Sequence, residues 1–147
     1  MLSLLVGFGL IAMMGLLAAI RLAPIDPVVW HVDPTAIMQP QTRNHWLVAA
    51  SGDAPVLHVD LPPDVAAQKL WTIALAFPGT SVLAGEGTFV TYITRSRLMG
   101  YPDLTSVKVT AAQGGADVAI FARSRFGSSD FGVNRARVEA WVAQLKP

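Results

Sequence analysis

The first twenty residues, MLSLLVGFGLIAMMGLLAAI, carry no ionisable side chain. Coiled as a helix rising about 1.5 Å per residue, such a run spans about 30 Å, the thickness of a bilayer's hydrocarbon core. A cleaved leader has a basic start, a shorter apolar run and small residues at alternate positions before the cut. Here the first basic residue is Arg21, and Leu16 and Leu17 stand two positions before Ala18 and Ala19. The sequence therefore predicts a retained single-pass anchor over residues 1–21. Ser3, Gly7, Gly15 and Ala19 fall at four-residue steps along it, interrupted by Ile11. Such a stripe lets a second membrane helix approach closely, although glycine and alanine are also common in membrane helices without that role. Sidedness rests on little: Arg21 is followed at once by Asp26 and Asp33. Analogy with exported anchored domains favours a periplasmic soluble part.

The remaining chain is long enough to bury a core of its own. The absence of cysteine excludes a disulfide framework, a thiolate metal site and a cysteine nucleophile. Residues 22–55 carry prolines at 24, 27, 34, 40 and 55 and no sustained period, and read as an extended linker lying along the domain. Trp30 and Trp46 are its expected apolar contacts, with the membrane headgroups as an alternative place for Trp30. Residues 56–147 form the domain. VLHVDL (56–61) is a short strand, and PPDVAAQKLWTIALAF is a helix with proline in its first turn. TSVLA, TFVTYITRSR (88–97), TSVKVTA (105–111) and DVAIFARSR (117–125) are strands joined by short turns. Ser129 or Asp130 caps a last helix in which Val138, Trp141, Val142 and Leu145 share a face. The order β-α-β-β-β-β-α with short inter-strand turns predicts an α+β two-layer sandwich, an antiparallel sheet with its helices on one face.

Net charge is +1, so the chain is not a polycation suited to nucleic acid. One stretch is nevertheless biased: Arg95, Arg97, Lys108, Arg123, Arg125, Arg135 and Arg137 stand against Asp103, Asp117 and Asp130. Two matching phrases carry most of it, RSRLMGYPDL (95–104) and RSRFGSSDF (123–131). In a meander the strands bearing them flank strand 105–111 and run parallel, so both triplets emerge at one end of the sheet, about 10 Å apart. Alternation places Arg95 and Arg97 with Phe89 and Ile93, and Arg123 and Arg125 with Phe121. Guanidinium groups so crowded need anions. Asp103 and Asp130 supply them internally, or an outside acid does so at Arg95, Arg97, Arg123, Arg125, Asn134 and Arg135. Arg135 and Arg137 of the last helix either join the cluster or are solvated.

The stretch IFARSRFGSSDFGVNRARVEAWVAQL resembles the C-terminal signature of the uncharacterised family called domain of unknown function 1499. The matching residues are Arg123, Ser124, Arg125, Gly127, Ser129, Asp130, Gly132, Val133, Asn134 and Arg135. FVTYITRSRLMGYPD is similar to its upstream block through Arg95, Ser96, Pro102 and Asp103. The family's cysteine-bearing opening stretch is replaced here by QPQTRNHW, which keeps Pro40 and Asn44. The resemblance covers residues 40–146 and implies a membrane-anchored bacterial member, placed in the inner membrane, with no activity to carry over.

Signals for catalysis are sparse. His31, His45 and His58 have no partner at ligand spacing, so no metal or other cofactor is expected. DFG at 130–132 lacks the glycine-rich and catalytic loops of a kinase. GSSDF lacks the second glycine of a nucleophile elbow, and GEGTFV the third glycine of a dinucleotide fingerprint. The expectation is a non-catalytic accessory domain. It would join an integral membrane complex through residues 1–20 and meet an acidic partner at the arginine-rich sheet end. The alternative is a binder of an anionic small molecule or lipid with Phe89, Ile93 and Phe121 as pocket floor. A hydrolase is the third reading.

Overall fold

In the computed structural model the chain is described over residues 2–38, 40 and 43–145, the side chains of 2–4 excepted. The apolar N-terminus forms one helix, α1 (Leu2–Leu22), whose window Leu5–Leu22 has a mean hydropathy of 2.1. It is long and apolar enough to cross a membrane, and Ile20 is its one buried described side chain. A short helix, α2 (Pro27–Trp30), and a 3-10 turn (Pro34–Ala36) follow. Each begins with proline behind an aspartate that accepts a hydrogen bond from the backbone, Asp26 from Val28 N and Asp33 from Thr35 N.

The six-stranded antiparallel sheet comprises β1 (His45–Val48), β2 (Leu57–Val59), β3 (Thr80–Glu86), β4 (Phe89–Arg95), β5 (Pro102–Ala112) and β6 (Gly115–Ser124). Its order is β1-β6-β5-β4-β3, with β2 also on β6. Since β1 pairs with residues 120–123 and β2 with residues 116–118, the two form one interrupted edge strand. The segment expected to be linker throughout thus contributes β1. HWLV is too short, between prolines and glycine, to show an alternating pattern.

The two remaining helices, α3 (Pro63–Ala76) and α4 (Val133–Leu145), pack on one face of the sheet. Val107, Val109, Val118, Ile120 and Ala122 lie there, with Leu70, Ile73, Val138 and Leu145 opposite. Trp141, fully buried, sits edge-on to Tyr92 at 5.6 Å and to Phe77 at 6.4 Å. Each large apolar side chain so buried stabilises the fold by about 1.5–3 kcal/mol. Burial also pushes the Tyr92 phenol up to about 12. After α3 the chain turns at Gly79, whose φ of +77° suits glycine, and whose carbonyl accepts from Arg95 N at 2.9 Å. A Cβ at Gly79 would meet the Arg95 carbonyl oxygen at 2.6 Å.

Candidate functional site

The opposite sheet face is built from matched rows. Phe89, Lys108 and Ala119 form one, and Thr91, Ser106, Phe121 and Leu47 the next. Ile93, Leu104, Arg123 and His45 form the third, nearest the end where the two arginine triplets emerge. As expected, both triplets reach one end of the sheet.

What covers this face is the chain leaving α1. Arg123 Nη2 donates to the Trp30 carbonyl at 2.5 Å, and its Nη1 to Ser106 Oγ and the Phe121 carbonyl, each at 3.4 Å. The guanidinium lies 5.2 Å from the Trp30 ring centroid and 4.5 Å from that of Phe121. Arg123 is 7% exposed and has no carboxylate partner among the described residues. Burial draws its pKa down to about 10, leaving it charged at neutral pH. His31 stacks on Phe89 at 3.9 Å and bonds Thr91 Oγ1 through Nδ1 at 2.8 Å. Thr91 in turn bonds Ser106 Oγ at 2.9 Å. Lys108 pairs with Asp33. Burial alone would raise the Asp33 carboxyl, but hydrogen bonds from Lys108 and Thr35 outweigh it and hold the group below its ordinary range. Ile37 packs on Leu47, Ala49 and Phe121. Residues 23–37 are therefore a strap across the sheet. The expected pocket floor of Phe89, Ile93 and Phe121 is corrected accordingly: the strap lies on Phe89 and Phe121, and Ile93 is buried.

Beyond the strap the arginines diverge. Strand β4 ends at Arg95, two residues earlier than the spacing suggests, and residues 96–100 close a turn in which Gly100 N donates to Ser96 O at 3.0 Å. Arg95 Nη1 donates to the Gly100 carbonyl at 3.3 Å. Arg97, on that turn, is exposed and has no ion-pair partner among the described residues. Arg125 Nη1 donates to the Ala23 carbonyl at 3.1 Å, just past α1. From α1 itself, Arg21 Nη2 reaches the Leu98 carbonyl at 3.0 Å. Its stem lies so close to Gly100 that a Cβ there would meet Arg21 Cγ at 2.6 Å. The arginine-bearing end of the sheet is thus fastened to the end of α1.

The aspartates do not pair with these arginines. Asp103 alternates with Leu104 and so faces the helices, where it meets Arg137 Nη2 at 2.6 Å, the two side chains 13% and 5% exposed. Arg137 Nη1 donates to Asn134 Oδ1 at 3.0 Å. Asn134 Nδ2 donates to Ser124 Oγ at 3.0 Å and to the Asn44 carbonyl at 3.2 Å. Asn44 Nδ2 reaches the Gly127 carbonyl at 2.8 Å. Asp130 instead caps α4, accepting from Gly132 N at 3.2 Å and Asn134 N at 2.9 Å. Asn134, expected at a binding surface, is fully buried. Arg135, expected there too, is exposed, pairs with Glu139 at 2.7 Å and lies 4.7 Å from the Trp46 ring. Arg137 carries the buried role instead. On α1, Gly15 and Ala19 are exposed and Gly7 partly so, with open space around both glycines, while the expectation for Ser3 falls outside the described side chains.

Two cavities open at this end. One of about 330 Å³ is lined by Trp30, Asn44, Phe121, Arg123 and Arg125. The other, of about 360 Å³, lies between Tyr101, Pro102, Phe126, Phe131 and Val133. The histidines sit elsewhere or in structural contacts: His45 near Asp53 at 3.4 Å, and His58 against Asp117 at 2.8 Å. The groove that His58 helps to line contains no hydroxyl side chain. Among the described residues no three His, Asp or Glu side chains are placed to hold a metal ion.

A crystal structure of protein MLL2253 from Mesorhizobium loti is similar at a TM-score of 0.45 and 11% identity, over 69% of this chain and 96% of that one. That likeness is too distant to bear on function, and no curated protein matches the chain. A family model does match, from the strap through the whole sheet to α4: over residues 30–145 the chain belongs to DUF1499, the proteins of unknown function.

Proposed function

We propose that this chain is a membrane-anchored accessory domain that works by docking rather than by catalysis. Its anchor is α1, and its working surface is the sheet end held beside the exit of α1. The observation that carries this reading is the pair of bonds from Arg21 to Leu98 and from Arg125 to Ala23, which fix the arginine-bearing end at the base of an apolar helix. Gly7, Gly15 and Ala19 leave one side of α1 open to a second helix. Arg97, exposed and without an ion-pair partner among the described residues, offers its charge to an acidic group at the membrane surface. In this reading the domain sits in the bacterial inner membrane with its soluble part in the periplasm. A C-terminal reporter fusion checks that side. Purification of the tagged full chain from native membranes is expected to bring down an integral membrane protein. Migration as a lone monomer would remove the accessory role.

A second reading is favoured by the cavity of about 330 Å³, where Arg123 and Arg125 meet Asn44. Asn44 Oδ1 is buried and has no hydrogen-bond partner among the described residues. This reading assigns the cavity to a small anion or lipid headgroup. It expects Arg125→Ala to abolish binding of such a ligand, measured by calorimetry, with the melting temperature nearly unchanged.

A further inference from the structure

The loops at the fastened end expose unusual apolar side chains. Leu98 is 82% exposed on the turn after β4, and Phe131 is 95% exposed just before α4. Phe131 also holds a left-handed backbone at φ +52°, the only non-glycine residue with positive φ among the described residues. A β-unbranched aromatic gains nothing from that conformation by itself, and here no packing against the fold compensates it. The two loops adjoin, since Ser96 and Tyr101 share a groove with Phe131. On the strap, Val28 and Val29 of α2 are 89% and 61% exposed, and Leu22 at the end of α1 is 80% exposed. Arg97 precedes Leu98 on the turn, whereas Asp103 pairs with Arg137, Asp130 caps α4 and Asp26 caps α2.

Resting on the reading of α1 as a membrane anchor, the geometry points to a second contact with the bilayer. Leu98 and Phe131 enter the headgroup–acyl boundary beside α1, and Arg97 lies against lipid phosphates. The placement argues for lipid over a protein groove. The Arg21–Leu98 bond keeps the first loop within one side chain of the helix that leaves the membrane. Apolar residues with a cation alongside are the composition that settles at this boundary. The domain would then stand on the membrane with its sheet end down rather than swing on a tether.

The chain has no cysteine, so single substitutions accept a unique fluorescent label. The full chain is reconstituted in nanodiscs of phosphatidylcholine with phosphatidylglycerol and labelled at Leu98→Cys, Phe131→Cys or Gln113→Cys. Gln113 is exposed in the turn between β5 and β6, at the opposite end of the sheet. The expected result is blue-shifted emission, quenched by lipids brominated near the glycerol, at 98 and 131 and not at 113. Arg97→Gln is expected to lower the docked fraction roughly fivefold in ratio, and only where the anionic lipid is present. Labels at 98 and 131 as wet as that at 113, in a chain retained after alkaline washing, overturn the lipid contact and leave the anchor standing. Shielding that occurs in native membranes but not in nanodiscs assigns the loops to a protein and overturns it likewise. Release of the chain by alkaline washing removes the anchor and this contact together.

Discussion

Arg135 and Arg137 stand two places apart on α4 and differ in everything but charge. Arg137 is buried against Asp103, so Arg137→Ala leaves a carboxylate facing the core and is expected to lower stability by about 3–5 kcal/mol. Arg135, exposed over Trp46 and paired with Glu139, is expected to lose under about 1 kcal/mol on the same change. Urea unfolding of the two variants checks both, and equal losses would contradict the buried network. Combining Arg137→Met with Asp103→Leu should recover most of the stability, because the desolvated charges leave together. The strand period, read from the sequence, places Arg123 correctly. The helical period also held the signal for Arg137: the stripe of Val138, Trp141 and Leu145, continued one turn back, reaches Asn134 and Arg137. Charge hides it, since a cation on a buried stripe reads as solvated until its partner is known. Phe131 is the reverse case. With 95% exposure and φ +52°, Phe131→Gly removes little packing and relieves a left-handed backbone. A neutral effect or a gain of up to about 1 kcal/mol is expected. A loss above that, in thermal melts without lipid, would mean that the ring supports the fold.

Among the elements, the regular ones were legible and the strap was not. Strands β4, β5 and β6 are rich in β-branched and aromatic residues, α3 begins with proline, and the turns between strands carry glycine, so local chemistry and tertiary structure agree there. The strap has no period because its order comes from the sheet beneath it. Trp30, His31 and Asp33 are held by Arg123, by Thr91 with Phe89, and by Lys108, residues from 58 to 93 positions away. No window along the chain contains both halves of those contacts. The sequence placed the segment along the domain, and the partners came only with the fold. The strap also has an acid limit. Asp33 carries a folded pKa below its ordinary 3.8, so the Lys108 pair stabilises the strap above that value and loses its effect as pH falls through the folded value. Protection of residues 30–37 from hydrogen exchange, taken relative to intrinsic rates, should therefore fall in that acid range, while the α3–α4 side responds less. Asp33→Asn should exchange faster at neutral pH and show a flatter acid profile. An unchanged profile in that variant would place the acid response elsewhere.

At the scale of the molecule, the sheet has two different faces with two different supports. One is an apolar layer under α3 and α4, closed by its own chain. The other is a mixed surface of hydroxyls, aromatics and the buried Arg123, whose cover arrives from the α1 side. The end of α1 is therefore held to the sheet twice, through the strap and directly through the Arg21–Leu98 bond. The division predicts how truncations behave. A chain beginning at residue 23 loses α1, which gives the fold a buried Ile20 and the Arg21–Leu98 bond. It should fold as a soluble domain with a melting temperature only a few degrees lower. A chain beginning at residue 38 also loses Trp30, His31, Asp33 and Ile37, baring Arg123 and the rings of Phe89 and Phe121. At about 1.5–3 kcal/mol for each large apolar side chain returned to water, it should be roughly 3 kcal/mol or more less stable. That corresponds to about 10 °C or more in melting temperature for a domain of this size. Because the helix-packed core is left whole, far-ultraviolet circular dichroism should still report the sheet and helices below the transition. Equal melting temperatures for the two chains would make the strap an ornament on a self-sufficient sheet, and the link between α1 and the sheet no stiffer than the peptide itself.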